Sequence, residues 1–401
     1  MLKKRLGLPI MLDRVTEDRS GEQSSRPLVG IRVLELGRVL AGPFCGMLLA
    51  DLGAEVIKVE PPHGDDARTF GPFVDGASTY YRLLNRDKLG ISLDLKQSDQ
   101  LAVLQRLIER SDVLIENFRP ETLERLGLPV ARIRELNPRL VIVSITGFGH
   151  SGPLRDLPAY DLLIQAMSGL MAATGPVDGD PTRSAVSLGD LVPGLYGALG
   201  ALAGLYEQQR TGVGRHVDVA MLDGLVSLLE SVAMRALHTD DAIVPLGNDH
   251  ALSAPFGTYR TADGEIAITI ANDPLFLRFA EAVGRPEWPR DARFATDAKR
   301  ALHRNELRAE IEAELAVLTS EQALARLRQA EIPVGPILGV REALAQPQAL
   351  ARAMVVEEED GFRTIGSALK LGDPPRAPRP APLFGEHQEL IEGWLAEPPR
   401  T

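Results

Sequence analysis

The sequence predicts an α/β fold in two domains, a large one built on an open parallel sheet and a smaller α+β one. Three observations carry that expectation. Short apolar runs rich in Val, Ile and Leu alternate with helix-like stretches from Leu28 to about Val219, and such alternation means a parallel sheet with helices on both faces. Turn-rich sequence from Asp240 to Pro255 is then followed by one hairpin pattern and a series of helices. A chain of 401 residues also exceeds what one small core organises.

Taken in order, Ile31–Leu36 reads as a buried strand, Ala41–Leu52 has helical spacing, and Glu55–Glu60 is again strand. Gly90–Leu95 is a third strand, Asp99–Glu109 a helix, and Asp112–Asn117 a fourth strand. After two short helices, Leu140–Ile145 gives a buried strand ending at Gly147-Phe148-Gly149. Arg215–Val219 is one more strand, and a helix is expected from Ala220 to about Ala236. In the second domain, Gly257–Arg260 and Glu265–Ile270 flank Thr261-Ala262-Asp263-Gly264, a hairpin turn sequence. Helices are expected over roughly 275–284, 304–317 and 320–330. The last stretch offers a helix at Arg341–Leu344, a strand at Met354–Val356, and a tail with Pro374, Pro375, Pro378, Pro380 and Pro382. That tail reads as an extended segment laid across another surface. The expected boundaries are a flexible extension over 1–27, a large domain over 28–224, a small one over 225–339, and a segment over 340–401 that returns to the large domain. Ligands of such sheets sit beyond the carboxyl ends of the strands.

Composition narrows the function. A net charge of −11 argues against nucleic acid, whose phosphates need a basic partner surface. No apolar run reaches the roughly 18 residues of a spanning helix, so no membrane partner is expected. Lys3-Lys4-Arg5 and the apolar residues after it imitate a secretory signal, but Pro9 interrupts the run and Asp13, Glu17 and Asp18 follow. The single cysteine, Cys45, excludes an internal disulfide framework and fits a reducing cytoplasm. It lies in an apolar helix start, as a small buried hydrophobe does. The histidines form no HExxH pattern or cluster, so no metal is expected.

Two acids stand out. Asp190 follows Ser187-Leu188-Gly189 and opens a long small-residue helix, and Asp161 follows Ala159-Tyr160 at another apparent helix start. Either acid reads as a simple N-cap. Stripped of water and aimed at a thioester, however, an aspartate attacks carbonyl carbon and forms a mixed anhydride. Gly37 and Gly42-Pro43 follow the first strand without forming GxGxxG or a P-loop. They leave either a tight turn or a helix start whose amides meet an anion or a carbonyl oxygen.

Several blocks occur in one order: Arg38-Val39-Leu40-Ala41-Gly42-Pro43, Ala50–Glu60, Glu116-Asn117-Phe118-Arg119-Pro120, Gly147-Phe148-Gly149, Leu188-Gly189-Asp190, Thr211-Gly212 to Asp218, and Gly385-Glu386-His387. In these the chain resembles the class III CoA-transferases of the CaiB/BaiF type, relatives of formyl-CoA:oxalate CoA-transferase and α-methylacyl-CoA racemase, from Leu28 to His387. The resemblance implies a Rossmann-like large domain with an open parallel sheet, a smaller α+β domain, and a homodimer of two interlocked rings. It implies no permanently bound cofactor, with a coenzyme A thioester as substrate. Asp190 matches the family's nucleophile, with Tyr160 and Asp161 supporting it. Val39 and Ala41 match residues lining the pantetheine, Leu93, Asp94, Leu95 and Lys96 a segment beside the adenine, and Asn117, Phe118 and Arg125 contacts to the nucleotide and the thiol-bearing arm.

The departures matter as much. Leu40 stands where the formyl-CoA enzyme has Gln, and Pro61 where it has a phosphate-side Arg, which leaves the phosphate grip undefined. Racemases carry a His before the acid matching Asp161; here Tyr160 replaces it, and a phenol of pKa about 10 is a poor neutral-pH base. Gly247, Asn248 and His250 fall in the loop that covers the catalytic acid in relatives, and it is not a run of glycines, which argues against oxalate as acceptor. The expected function is CoA transfer from an acyl-CoA donor, succinyl-CoA or another dicarboxylyl-CoA, to a small carboxylic acid. Two alternatives stay open: an acyl-CoA racemase or isomerase, and a noncatalytic CoA-binding member of the family.

Overall fold

The computed structural model describes residues 26–372 and 376–397. Nearly all of the expected extension over 1–27 lies outside the described residues, as do Pro374 and Pro375 of the expected tail. The chain divides into two compact units, one gathering the residues up to Leu170, Ser184–Glu230 and those from Gln348 onward, the other Met171–Arg183 and Ser231–Pro347.

The first unit is built on β1 (Arg32–Glu35), α1 (Ala41–Asp51), β2 (Glu55–Glu60), α2 (Thr79–Asn85), β3 (Leu89–Ser92), α3 (Ser98–Glu109), β4 (Val113–Glu116), β5 (Val141–Thr146), α4 (Asp161–Met167), α5 (Leu188–Thr211), β6 (His216–Ala220) and α6 (Met221–Ser227). Its six strands form one sheet in the order β3-β2-β1-β4-β5-β6, and every pairing is parallel. Strands buried on both faces read as continuous apolar runs, and all six residues of β5 are buried. Alternate side chains feed two cores. Val33, Val56, Val113 and Val141 pack with Cys45 and Leu49 of α1 and Ala198 and Ala201 of α5. Leu34, Ile57, Leu114 and Ile142 pack with Leu104 and Leu107 of α3 on the opposite face. The strand order reverses between β1 and β4, and that is where doubly wound sheets bind ligands.

α5 is long and apolar enough to cross a membrane, yet half of its apolar stretch is buried inside the protein. Its small residues let it lie close against α1: a Cβ on Gly194 would come within 2.9 Å of the Ala41 carbonyl oxygen.

The C-terminal residues of this unit hold a short antiparallel pair, Val355–Glu357 with Arg363–Ile365, and a terminal helix, Gln388–Ala396. His387 and Gln388 dress the outer edge of β3. The His387 amide donates to the Gly90 carbonyl at 2.9 Å. The Gly90 amide donates to His387 Nδ1 at 3.1 Å, and the Ser92 amide to Gln388 Oε1 at 3.1 Å.

The second unit holds a three-stranded antiparallel sheet of Phe256–Arg260, Glu265–Thr269 and Val334–Pro336. The turn between the first two closes with the Thr261 amide on the Gly264 carbonyl. Helices Asp273–Val283, Arg304–Leu315 and Ser320–Gln329 cover it, around a core of Phe276, Phe279, Trp288 and Phe294.

The helix expected over 220–236 is broken, ending at Ser227 and resuming at Glu230. Glu230 has φ of 47°, a left-handed backbone that no continuous helix passes through.

Candidate active site

Val39, Ala41, Leu93–Lys96, Asn117 and Phe118 follow the carboxyl ends of β1, β3 and β4, while Asp161 and Asp190 lie in the first turns of α4 and α5. Asp190 does not cap its own helix, as one reading of the sequence had it. Ser187 holds the N-cap position and α5 begins at Leu188, which places Asp190 in the first turn. Asp161 likewise lies inside α4, after Tyr160 as N-cap. Its carboxylate instead caps the other helix: Oδ1 accepts the Gly189 amide at 2.9 Å, satisfying one of the donors that a helix start leaves open. Gln165 Nε2 donates to the same carboxylate at 2.8 and 3.0 Å. Gly189 is required by this approach, because a Cβ there would meet Asp161 Oδ1 at 3.0 Å and its Cα at 3.1 Å. Asp161 thus fixes the residue next to Asp190, with both acids in one small space. Tyr160 is 79 % exposed, at the rim of this arrangement.

The electrostatic result is an aspartate without a counter-charge. Burial pushes the Asp190 carboxyl up to about 7, and the Asp161 charge adds to the rise. Among the described residues no hydrogen bond to that carboxylate offsets either effect. A carboxylate of raised basicity is a better nucleophile than a free one of pKa about 3.9. Activity that needs the ionised form is therefore expected to climb with pH through about 7 in kcat/KM. Glu116 is also pushed up to about 7, chiefly by burial, so the inflection alone does not identify its owner. Asp161→Asn discriminates: it removes the charge beside Asp190, keeps an acceptor for the Gly189 amide, and should move the inflection to lower pH. An unmoved inflection would assign the titration elsewhere.

Opposite the acids stands the turn from β1 into α1. Leu40 is the N-cap of α1, and no side chain caps it, so the first amides of the helix stay available to an anion or an oxyanion. Ala41 is the first residue of α1 and is buried, while Val39 is half-buried with φ of 64°. A β-branched residue in the left-handed region costs about 1–3 kcal/mol, and the price is met by bonds described below. Asn117, at the end of β4, spans to this turn: its Oδ1 accepts the Arg38 amide at 2.8 Å and its Nδ2 donates to the Arg38 carbonyl at 2.9 Å. Both polar atoms of Asn117 are thereby used as a strut across the point where the sheet order reverses. Phe118 packs on the α3-side core, and its amide donates to Glu116 Oε2 at 2.8 Å.

The remaining sequence candidates divide by exposure. Leu93 is buried at the end of β3 and Leu95 half-buried. Asp94 accepts the Lys96 amide at 3.1 Å and so forms its own turn. Lys96 and Arg125 are exposed, with Arg125 donating to Thr122 Oγ1 at 3.2 Å. Gly247, Asn248 and His250 belong to the second unit. There the Gly247 amide donates to the Gly175 carbonyl, Asn248 Nδ2 to Thr258 Oγ1 at 3.3 Å, and the His250 ring leans on Phe256 with centroids 5.0 Å apart.

Sequence reasoning missed Tyr80, Asp65 and Glu35. The Tyr80 hydroxyl is pushed up to about 12 by burial and by the charges of Asp190, Asp65 and Asp161, so it lies within the field of all three acids. Beneath the β1–α1 turn is a fully buried ionic cluster. Lys58 Nζ contacts Glu35 Oε1 at 3.3 Å, Asp65 Oδ2 at 2.8 Å and the Gly37 carbonyl at 3.0 Å. Lys88 Nζ contacts Glu35 Oε2 at 2.7 Å, the Pro43 carbonyl at 2.9 Å and Asn85 Oδ1 at 3.0 Å. The signal for Glu35 and Lys58 was present as charges inside apolar strands, which a strand buried on both faces tolerates only when they are paired. Among the described residues no group of three or more His, Cys, Asp or Glu is placed to hold a metal ion.

Residues 28–388 match the model of CoA-transferase family III. The chain is 39 % identical over 376 residues to the acetyl-CoA:oxalate CoA-transferase of Acetobacter aceti, covering 93 % of this chain and 96 % of that one. It is 39 % identical over 388 residues to the succinate–glutarate CoA-transferase of Agrobacterium fabrum, covering 94 % and 97 %. Its fold matches the crystal structure of a CaiB/BaiF family protein from Brucella suis with a TM-score of 0.82 and 36 % identity, covering 93 % of this chain and 100 % of that one.

Proposed function

The chain belongs to CoA-transferase family III and is a CoA-transferase, and from that premise we propose that Asp190 carries the acyl group and then the CoA between two carboxylic acids. The observation that carries this reading is the half-buried Asp190 carboxyl, raised to about 7 by burial and by the charge of Asp161. Its oxygen attacks the thioester carbonyl, the carbon–sulfur bond breaks, and CoA leaves as thiolate from an acyl-aspartyl anhydride. The thiolate attacks the aspartyl carbonyl and releases the donor as a carboxylate, leaving an aspartyl-CoA thioester. An acceptor carboxylate then reverses both steps and regenerates Asp190. The open amides at the start of α1 bind the oxyanions of these steps. Val39 and Ala41 line the pantetheine, Leu93, Asp94, Leu95 and Lys96 lie beside the adenine, and Asn117, Phe118 and Arg125 meet the nucleotide and the thiol-bearing arm.

The donor is succinyl-CoA or another dicarboxylyl-CoA, in keeping with the succinate–glutarate relative. The loop at Gly247, Asn248 and His250 is the segment that matches the family's substrate loop. Its sequence alone does not set oxalate aside, since an equally similar relative is named for oxalate. The enzyme works in the cytoplasm as a homodimer of interlocked rings. Leu195, Tyr196, Leu199 and Tyr206 on the outer side of α5 are exposed, an apolar face of the kind that a second copy covers.

The test is incubation with succinyl-CoA and a panel of acids including glutarate, citramalate, mesaconate and oxalate, read by mass spectrometry. One or more new acyl-CoA products are expected, from protein whose light-scattering mass is near twice 43.5 kDa. Deuterium appearing at the α-carbon of an acyl-CoA with no acceptor present would support the racemase instead.

A further inference from the structure

We propose that Asp65 is a positioning residue for the transfer reaction: it holds Val39 in its left-handed conformation and so sets the amides that open α1 against the thioester. The proposal deepens the reading of Asp190 as nucleophile and rests on it.

Asp65 is 2 % exposed and lies in the segment between β2 and α2. Its carboxylate makes four contacts. Oδ1 accepts the Val39 amide at 3.1 Å and the Ala67 amide at 2.9 Å, and Oδ2 lies 3.3 Å from the same Val39 nitrogen. Oδ2 also pairs with Lys58 Nζ at 2.8 Å. Asp65 in turn is fixed through its own amide, which donates to Glu60 Oε2 at 2.9 Å. Glu60 is clamped by Arg68 at 2.8 and 2.6 Å and by the Tyr81 hydroxyl at 3.1 Å.

These contacts grip the turn from both sides. Asp65 takes the amide of Val39, while Lys58 takes the carbonyl of Gly37 at 3.0 Å. Asn117 brackets Arg38 between them. The one residue of this turn that is strained is therefore the one bonded to a buried carboxylate. Val39 has no β-carbon-free escape from its φ of 64°, so the conformation persists only because the surroundings determine it. Leu40 and Ala41 follow at once, and their amides have the direction that Val39 gives them. The same turn packs close to the nucleophile's helix, since a Cβ on Gly194, one turn beyond Asp190 on α5, would come within 2.9 Å of the Ala41 carbonyl oxygen. Tyr80 feels the charges of both Asp65 and Asp190, so the strut and the reacting carboxylate share an electrostatic neighbourhood.

A residue acting this way should affect the rate of the bound complex more than its formation. In the full-length protein with succinyl-CoA, Asp65→Ala is expected to lower kcat about 30-fold with KM for the thioester changed less than threefold. Asp65→Asn keeps an acceptor for the Val39 amide but loses the charge, and is expected to recover to within about fivefold of wild type. Deuterium uptake by the peptide over 37–44 should rise in Asp65→Ala, read by mass spectrometry without any substrate. A double-mutant cycle ties the effect to Val39: glycine adopts positive φ freely, so in the Val39→Gly background Asp65→Asn should cost less than twofold. Unchanged uptake over 37–44, a loss that falls on KM instead of kcat, or the same cost of Asp65→Asn with glycine at 39 would each overturn the proposal. If Asp65→Ala does not fold, the cycle with Asp65→Asn still decides. Normal turnover by Asp190→Ala would remove the nucleophile reading, whereas the uptake measurement would still report on the strut by itself.

Discussion

Asp190→Ala is expected to lose at least about 1,000-fold in CoA transfer, and no covalent adduct should form when the variant is mixed with its thioester. Removal of a nucleophile that carries a covalent intermediate takes away the pathway itself, and only binding and oxyanion stabilisation survive. Hydroxylamine or borohydride should trap the wild-type intermediate on a peptide containing Asp190 and trap nothing from the variant. Wild-type turnover in Asp190→Ala would end the covalent reading. Asp190→Asn should be equally inactive yet more stable above neutral pH. A carboxyl whose folded pKa is about 7 against about 3.9 when unfolded opposes folding once it is ionised. That opposition is absent below about pH 4, grows as pH rises toward 7, and is complete above it. The amide carries no such charge, so the melting temperature of Asp190→Asn should exceed that of wild type by more at pH 8 than at pH 5. An equal gap at both pH values would contradict the raised basicity.

The second large effect is expected on stability. Glu35→Ala should destabilise the protein by about 3–5 kcal/mol, the usual result of breaking a buried ion pair from one side. Glu35, Lys58 and Lys88 have fully buried side chains, and each lysine holds one oxygen of Glu35. Without Glu35, Lys58 keeps Asp65, but Lys88 keeps only a carbonyl and an amide oxygen. Lys88 is already lowered to about 8, mostly by burial, so it would shed its proton or the fold would strain to hydrate it. A fall of roughly 10 °C in melting temperature is expected, partly recovered in Glu35→Ala/Lys88→Met, where the orphaned charge is gone. A melting temperature unchanged by Glu35→Ala would mean that the cluster is not balanced as its contacts suggest.

The six strands of the sheet were legible because strands buried on both faces are rich in Val, Ile and Leu, and β5, with all six residues buried, is the clearest example. The hairpin around Asp263 was legible from its turn residues. Two short strands, Val334–Pro336 and Arg363–Ile365, were not: each is three residues and carries too little pattern, although the equally short Val355–Glu357 was expected one residue early, at Met354–Val356. The helix Gln388–Ala396 carries a glycine and follows a proline-rich stretch, which masked it. In the site, Asp190 and Asp161 stood out as acids at helix starts. That Asp161 caps the other acid's helix was not readable, because the bond joins residues far apart in the chain. Tyr80 and Asp65 escaped for the same reason, since neither sits in a local pattern and both gain meaning only from what the fold sets beside them.

The dressing of β3 by His387 and Gln388 has a consequence for biosynthesis. The rim of the sheet is completed by residues translated almost 300 positions later, so a growing polypeptide carries an open strand through most of its synthesis. Such rims recruit other chains. Chains ending before His387 are therefore expected to aggregate more readily than the full-length protein.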